Sequence, residues 1–236
     1  MKRTDKPVAL VTGAGRGIGR ATAEALARAG HAVVVAELSP RLGRQTASAI
    51  RRHGGTAVFL QTDVTNPASV DRTVRATVRW FGRVDCLVNN AGVLTVRPLA
   101  RLPLADLERM LAVNLRGPLV VTRAVLPLML RQDAGAIVNI ASQLGKQGLG
   151  DYATYCATKF GIIGCTQALA DELAGTGVKV WAVCPGLTDT PLARKAGVAR
   201  RERAGLIRPE SVADAIVRLA EGRNRVKSGH AVDVIH

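Results

Sequence analysis

A tyrosine and a lysine four residues apart form the most reactive pair in the sequence. Tyr155 and Lys159 lie in the stretch SQLGKQGLGDYATYCATK, and the residues after Tyr155 read as one long helix. Residues four apart share a helix face, so the phenol and the ammonium should project to the same side. A nearby cation favours the phenolate, which should lower the pKa of the tyrosine from its usual value near ~10. The spacing predicts a general acid and base that works near neutral pH.

Such a pair also occurs on solvated helix faces, so the neighbouring residues must show whether it is catalytic. Ser142 ends the apolar run AIVNIAS and could present its hydroxyl from a strand end to the same phenol oxygen. Tyr152 is the rival phenol, but Cys156 stands where its lysine would be needed. This favours Tyr155 as the reactive tyrosine and Tyr152 as part of a pocket wall.

A glycine-rich turn, TGAGRGIG, follows the first apolar run. Gly13, Gly17 and Gly19 allow a tight turn and a close approach of the backbone, although Ile18 stands where the strict G-x-G-x-x-G pattern needs its third glycine. Because a helix follows at once, its free N–H groups could bind a pyrophosphate. Between a first strand and a first helix, this turn indicates dinucleotide binding.

Two charged residues give opposite indications about the dinucleotide. Glu37 closes the second predicted strand, where a carboxylate can accept hydrogen bonds from both ribose hydroxyls and would repel a 2′-phosphate. Arg16, beside the glycine turn, could instead pair with that phosphate. Because Glu37 occupies the discriminating position itself, NAD is predicted, with NADP as the alternative.

Short apolar runs alternate with amphipathic stretches along the whole chain. KPVALVT, HAVVVAEL, TAVFLQTDV, VDCLVNNAG, GAIVNIAS, VKVWAVCPG and AVDVI read as seven strands. Continuous apolar strands that alternate with helices specify a parallel sheet covered on both faces. The fold class predicted is an α/β doubly wound, Rossmann-like fold, one domain over residues 1–236. Ligands should bind at the carboxyl ends of its strands.

Composition limits the classes of function. Of the 236 residues 47% are hydrophobic and only 3% aromatic, and the net charge is +15. The arginines are dispersed and no aromatics are interleaved with them, so a solvated basic surface is favoured over a specific nucleic-acid site. No segment reads as a membrane span or a secretory leader. The four cysteines have neither metal nor disulfide spacing, which indicates free thiols, no metal and a cytoplasmic location.

Several motifs together resemble the short-chain dehydrogenase/reductase family, in its order and spacing over nearly the whole chain. They are TGAGRGIG, NNAG at 89–92, Asn114, Ser142, Tyr155-x-x-x-Lys159 and Pro185-Gly186-x-x-x-Thr190. The resemblance is nearest to 3-oxoacyl-[acyl-carrier-protein] reductase-like members. It implies the strand order 3-2-1-4-5-6-7 and an NAD(P)-dependent oxidoreductase (EC 1.1.1.-) that transfers a hydride between nicotinamide and a secondary alcohol or ketone. It also implies a homodimer or homotetramer and a short substrate lid at about 188–208.

The resemblance further implies a catalytic set. Tyr155 would exchange the proton with the substrate oxygen, and Ser142 would hydrogen-bond that oxygen. Lys159 would lower the pKa of Tyr155 and hold the nicotinamide ribose. Asn114 would hold a water that links Lys159 to solvent, although it could simply be a polar residue at a helix irregularity.

The remaining implied contacts concern the cofactor and the substrate. Asp63 and Val64 would meet the adenine, Asn90 would lie beside the adenosine ribose, and Thr188 or Thr190 would bond the carboxamide. The whole implied cofactor set is Gly13, Gly15, Arg16, Gly17, Ile18, Gly19, Glu37, Leu38, Asp63, Val64, Asn90, Ala91, Gly92, Tyr155, Lys159, Pro185, Gly186, Thr188 and Thr190. The substrate set is Ser142, Gln143, Leu149, Tyr152 and Tyr155, with a solvent-facing role equally open for Gln143 and Leu149.

Two alternatives remain open at this point. One is an NADPH-dependent 3-oxoacyl-thioester reductase, which differs in cofactor and substrate but not in chemistry. The other is a protein that uses the fold to bind a cofactor or a polyanion without turnover. The complete Ser142, Tyr155 and Lys159 set favours an enzyme, since a binding protein has no need of all three.

Overall fold

The computed structural model describes residues 5–195, 205–223 and 225–235. Seven parallel strands form one sheet in the order β3-β2-β1-β4-β5-β6-β7, which confirms the predicted order and fold class. The strands are β1 Val8–Thr12, β2 Ala32–Glu37, β3 Thr56–Gln61, β4 Cys86–Asn89, β5 Gly135–Ile140, β6 Val178–Pro185 and β7 Ala231–Val234.

Eight α-helices lie in the described part of the chain. They are α1 Gly17–Arg28, α2 Pro40–Arg52, α3 Pro67–Phe81, α4 Leu104–Leu111, α5 Gly117–Gln132, α6 Ala153–Glu172, α7 Pro191–Lys195 and α8 Pro209–Ala220. Local signals set several of the boundaries. Asn66 caps α3 by accepting a hydrogen bond from the Ser69 N–H, Pro67 occupies its first turn, and Gly82 ends it in the left-handed conformation at φ 80°.

The helices cover the sheet on both faces, with an apolar core on each side. Residues of α1, α2 and α8 contribute to one core, and residues of α3, α5 and α6 contribute to the other. All five residues of β1 are buried, as expected for a strand covered on both faces. The small side chains of α1, such as Ala21 and Ala25, let α1 pack closely against α8.

A continuous helical stretch from Leu104 to Gln132 departs from one expectation. By length and mean hydropathy, 1.3 in its most apolar window, it could cross a membrane, so the prediction that no segment reaches this level is wrong. The core helix of a globular protein passes the same test, and 39% of that window is buried inside this fold. Its middle, Ala112–Arg116, is a π-helical turn, which agrees with the alternative that Asn114 is a polar residue at a helix irregularity.

Only part of the predicted lid lies within the described residues. Thr188 and Ile207 form an isolated parallel bridge, and α7 follows Thr190 directly. Residues 196–204, nine of the 21 residues of the predicted lid, lie outside the described residues and include Arg200, Arg201 and Arg203.

Candidate active site

A cavity of about 760 Å³ runs along the carboxyl ends of the strands. Most of the predicted site residues line it: Gly13, Arg16, Gly17, Ile18, Glu37, Leu38, Asp63, Val64, Asn90, Ala91, Gly92, Ser142, Gln143, Leu149, Tyr152, Tyr155, Lys159, Pro185, Gly186, Thr188 and Thr190. Gly15, Gly19 and Asn114 do not line it; each packs directly behind a residue that does.

The glycine turn is built by hydrogen bonds from a neighbouring strand end. Gly13 has a φ of 62°, and the Asn90 Nδ2 donates to the carbonyls of Thr12 (2.9 Å) and Gly13 (3.1 Å). A Cβ on Gly19 would overlap both the Gly13 carbonyl and this amide. The Asn90 side chain therefore holds the turn in place, and its predicted position beside the adenosine ribose stays a prediction.

The first turn of α1 offers unsatisfied donors to the cavity. Arg16 occupies the N-cap in an extended conformation and supplies no side-chain cap, so the N–H groups of the first helical turn remain available. Gly17 and Ile18 of this turn line the cavity. Free N–H groups at a helix N-terminus suit an anion, and this arrangement fits the pyrophosphate of a dinucleotide.

The carboxylates of Glu37 and Asp63 also line the cavity. Glu37 accepts hydrogen bonds from the N–H of Gly15 through Oε2 (2.9 Å) and from that of Ser39 through Oε1 (3.0 Å). The Asp63 Oδ1 accepts from the N–H and the hydroxyl of Thr65. The Arg16 side chain is exposed and makes no hydrogen bond or ion pair with the described part of the chain.

The predicted reactive groups meet at the β5 end of the cavity. Ser142 lies just beyond β5, and its hydroxyl contacts the Tyr155 phenol. The Tyr152 ring packs edge-on against that of Tyr155, with 6.5 Å between centroids. Lys159 lies 5.5 Å from the centroid of the Tyr155 ring, one helical turn along. The Lys159 Nζ donates to the carbonyl of Ile140, the last residue of β5, at 2.7 Å.

The pKa of Tyr155 differs from the sequence-based expectation. Burial raises it to about 12, and the hydrogen bond from Ser142 only partly opposes this effect. The ring stays partly accessible from the cavity, yet the surrounding protein removes enough water to disfavour the phenolate. Lys159 is 5% exposed, and burial lowers its pKa to about 8. Burial therefore dominates the pKa of Tyr155, and the predicted lowering by the Lys159 ammonium is not observed.

Asn114 links the loop after β4 to the helices behind the site. Its Oδ1 accepts from the Val93 N–H (2.8 Å) and its Nδ2 donates to the Val93 carbonyl (2.9 Å). A longer contact of 3.5 Å reaches the hydroxyl of Thr158, the neighbour of Lys159. The Asn114 side chain thus stabilises the loop after β4, and its binding of a water stays a prediction.

Some residues of the site escaped the sequence analysis. Thr12 is 2% exposed, and its hydroxyl accepts hydrogen bonds from the N–H groups of Asn90 and Ala91. Leu94 and Arg109 line the cavity as well. The position of Thr12 at the end of the first strand could have marked it as a site residue. Arg109 lies on a helix with a solvated face, and no feature of the sequence marked it as a site residue.

Comparisons with known proteins decide the family. The model of a family described as short chain dehydrogenase matches residues 7–200. The chain belongs to this family. It is 45% identical over 187 residues to a 3-oxoacyl-[acyl-carrier-protein] reductase of Synechocystis sp., covering 78% of this chain and 75% of the relative. It is 40% identical over 194 residues to a D-threitol dehydrogenase of Mycolicibacterium smegmatis, covering 82% and 75%.

A solved structure agrees with these relatives. The crystal structure of an actinorhodin polyketide ketoreductase variant with NADPH superposes with a TM-score of 0.91 at 36% identity, covering 99% of this chain and 98% of the other. As a short-chain dehydrogenase, the chain is an NAD(P)-dependent oxidoreductase. In this short-chain dehydrogenase the glycine turn and the Tyr155 cluster lie on one continuous cavity, so one bound dinucleotide can reach both.

Proposed function

We propose that the chain interconverts a secondary alcohol and a ketone, with Tyr155 as the general acid and base. The observation that carries this proposal is the convergence of Tyr155, Ser142 and Lys159 on the cavity that also contains the glycine turn. The nicotinamide, when bound, supplies or accepts the hydride. The protein then has to orient two molecules and handle one proton.

The protonation states favour reduction at neutral pH. With its pKa at about 12, Tyr155 is a phenol at pH 7 and can donate its proton to the carbonyl oxygen. Ser142 would hydrogen-bond the same oxygen and keep it near the phenol. Lys159, still mostly cationic at pH 7, would hold the nicotinamide ribose and stabilise the phenolate left after the transfer. In the reverse direction Tyr155 must first lose its proton, which higher pH promotes.

NAD is the cofactor that the charges favour. Glu37 is a fixed carboxylate at the end of β2, where a 2′-phosphate would meet it. NADP remains the alternative, supported by the exposed Arg16, whose side chain has no partner among the described residues, and by the NADPH of the related ketoreductase. The remaining predicted contacts, of Asp63 and Val64 with the adenine and of Thr188 or Thr190 with the carboxamide, form part of the proposal.

A 3-oxoacyl-thioester reductase is the second candidate. Its support comes from the reductase relatives, including one of Thermotoga maritima that is 34% identical over 98% of this chain. The D-threitol and sorbitol dehydrogenase relatives support hydroxylated substrates instead. Initial rates on both kinds of substrate, each with NADH and NADPH, separate the candidates.

Replacement of one phenol tests the catalytic assignment. Tyr155→Phe should lower turnover on any carbonyl that the wild type reduces by about 10²-fold or more, because the proton donor is gone. Tyr152→Phe is the matched control, and it should lose at most about tenfold, since it removes only a polar contact of the wall. Activity that survives Tyr155→Phe would refute the assignment and revive the alternative of binding without turnover.

The proposal also covers assembly, domain organisation and location. Exposed apolar side chains on α4, α5 and α6 (Leu104, Leu119 and Phe160) suit a homodimer or homotetramer, and a clean monomer in sedimentation would contradict this. One domain would carry both the cofactor and the catalytic groups. The four cysteines are free, which a reducing cytoplasm would maintain.

A further inference from the structure

The turn after β5 begins at Ser142 and packs directly against α6. Ser142 is the N-cap of a 3-10 turn over Gln143–Gly145, and its hydroxyl accepts a hydrogen bond from the Leu144 N–H at 3.1 Å. A Cβ on Gly145 would come within 2.8 Å of the Lys159 carbonyl, so the turn lies tightly on α6. The direction of the Ser142 hydroxyl therefore depends on where this turn lies.

Two side chains of the turn reach the last two strands of the sheet. Gln143 and Lys146 are three residues apart, and side chains at this spacing lie on the same side of a 3-10 turn. The Gln143 Nε2 donates to the Cys184 carbonyl on β6 at 3.0 Å and to the Asp233 Oδ1 on β7 at 2.8 Å. The Lys146 Nζ donates to the same Asp233 oxygen at 2.5 Å. One carboxylate oxygen on β7 thus holds both ends of the turn that begins at Ser142.

The charge and the strand of Asp233 suit it to hold this turn. The hydrogen bond from Lys146 keeps the pKa of Asp233 below its usual value, so Asp233 is a carboxylate at neutral pH. Hydrogen bonds to a carboxylate are shorter and stronger than those between neutral groups. Asp233 pairs in register with Cys184 on β6, and β6 pairs with β5. The carboxylate is therefore fixed relative to the strand from which the turn emerges.

We propose that Asp233 is a positioning residue, which through Gln143 and Lys146 holds the turn that aims the Ser142 hydroxyl at the substrate oxygen. This inference rests on the proposed function, since it concerns how Ser142 meets the oxygen of the alcohol or ketone. Asp233 does not line the cavity, so its effect must pass through the turn. The glycine turn follows β1, and β4, β5 and β6 separate β1 from β7, so cofactor binding there should not depend on Asp233.

Removal of the carboxylate should slow hydride transfer without weakening cofactor binding. Asp233→Ala should lower the single-turnover rate on a ketone that the wild type reduces by roughly three- to tenfold, the loss expected from one or two partly exposed hydrogen bonds to a charged group. The dissociation constant of the reduced cofactor, followed by its fluorescence, should stay at the wild-type value.

Two further variants calibrate this loss. Asp233→Asn keeps an oxygen that can accept from Gln143 and Lys146, so it should recover most of the rate that Asp233→Ala loses. Asp214→Ala is the matched control, since it also removes an exposed carboxylate, on α8, and it should keep the wild-type rate.

A double-mutant cycle separates positioning from general damage. In a Ser142→Ala background the hydroxyl is gone, so Asp233→Ala should cause no further loss of rate. A merely structural role of Asp233 would lower the rate by the same factor in both backgrounds. Where Ser142→Ala is too slow to measure, Gln143→Leu combined with Lys146→Ala supplies the second background, in which Asp233→Ala should again change nothing.

Failure of this inference would differ from failure of the proposed function. A wild-type rate in Asp233→Ala, a loss that is repeated in full in the second background, or an equal weakening of cofactor binding would each overturn the inference alone. No hydride transfer to any carbonyl by the wild type with either cofactor would overturn the proposed function, and the inference with it.

Discussion

Thr12 joins two strand ends beneath the cofactor cavity, and its replacement should be costly. Its hydroxyl accepts from the N–H groups of Asn90 (3.0 Å) and Ala91 (3.1 Å) and donates to the Val88 carbonyl (3.3 Å). Thr12→Val keeps the shape but leaves both N–H groups without this partner. Each unsatisfied buried donor costs about 1–3 kcal/mol, so the free energy of unfolding should fall by about 2 kcal/mol or more.

The same change should weaken the cofactor site, because Asn90 also holds the Gly13 turn. Dinucleotide affinity, followed by the fluorescence of NADH, should fall roughly tenfold if the turn loses about 1.4 kcal/mol of preorganisation. Urea unfolding at constant slope gives the stability of each variant. Thr12→Ser is the control, since it retains the hydroxyl and loses one methyl, at about 1 kcal/mol. A Thr12→Val protein that matches Thr12→Ser in both measurements would refute the role of the hydroxyl.

Three further predictions concern charges. Glu37→Ser should shift the ratio of kcat/KM for NADPH over NADH upward by about tenfold or more, because the repelling carboxylate is gone; an unchanged ratio would show that Glu37 does not face the 2′ position. The rate of alcohol oxidation should rise steadily with pH from 7 to 10, since the pKa of Tyr155 at about 12 leaves little phenolate at pH 7, and a plateau near pH 7 in a rate profile would contradict this. Burial lowers the pKa of His31, so the unfolded chain binds a proton at a higher pH than the folded protein does. The free energy of unfolding should therefore fall as the pH drops below about 6.5, by less than ~1.4 kcal/mol per pH unit. Thermal unfolding of His31→Gln should show a weaker dependence of stability on pH than the wild type.

The fold and the location of the site followed from local patterns. Runs such as VALVT, buried on both faces, require a parallel sheet, and such a sheet places its ligand at the carboxyl ends of the strands. Ser142, Tyr155 and Lys159 were found because their types and spacing carry chemistry wherever such a helix packs. The strand order was accessible only through the family resemblance, because periodicity does not encode which strands are neighbours.

What escaped prediction depends on contacts between distant parts of the chain. Gln143 and Asp233 are 90 residues apart, and no local pattern pairs them. From the sequence, Asn90 could contact a ligand or support the glycine turn, and its hydrogen bond to the Gly13 carbonyl is visible only in the structure. The pKa of Tyr155 is set by how much water the packed protein excludes. Spacing predicted the neighbouring ammonium but not its hydrogen bond to Ile140.

At the wall of the cavity, hydrogen-bonding groups without a protein partner indicate where ligands bind. Asn89 donates to Thr122 and Asn139 inside the sheet, although its Oδ1 has no partner among the described residues, and Asn114 is hydrogen-bonded to Val93, so both side chains stabilise the fold. The N–H groups at the start of α1 have no side-chain cap among the described residues, and Gly17 and Ile18 of this turn line the cavity. Since buried polar groups in folded proteins are normally satisfied, these N–H groups should acquire a partner when a ligand binds. They suit an anion, and the Tyr155 phenol lies on the same cavity.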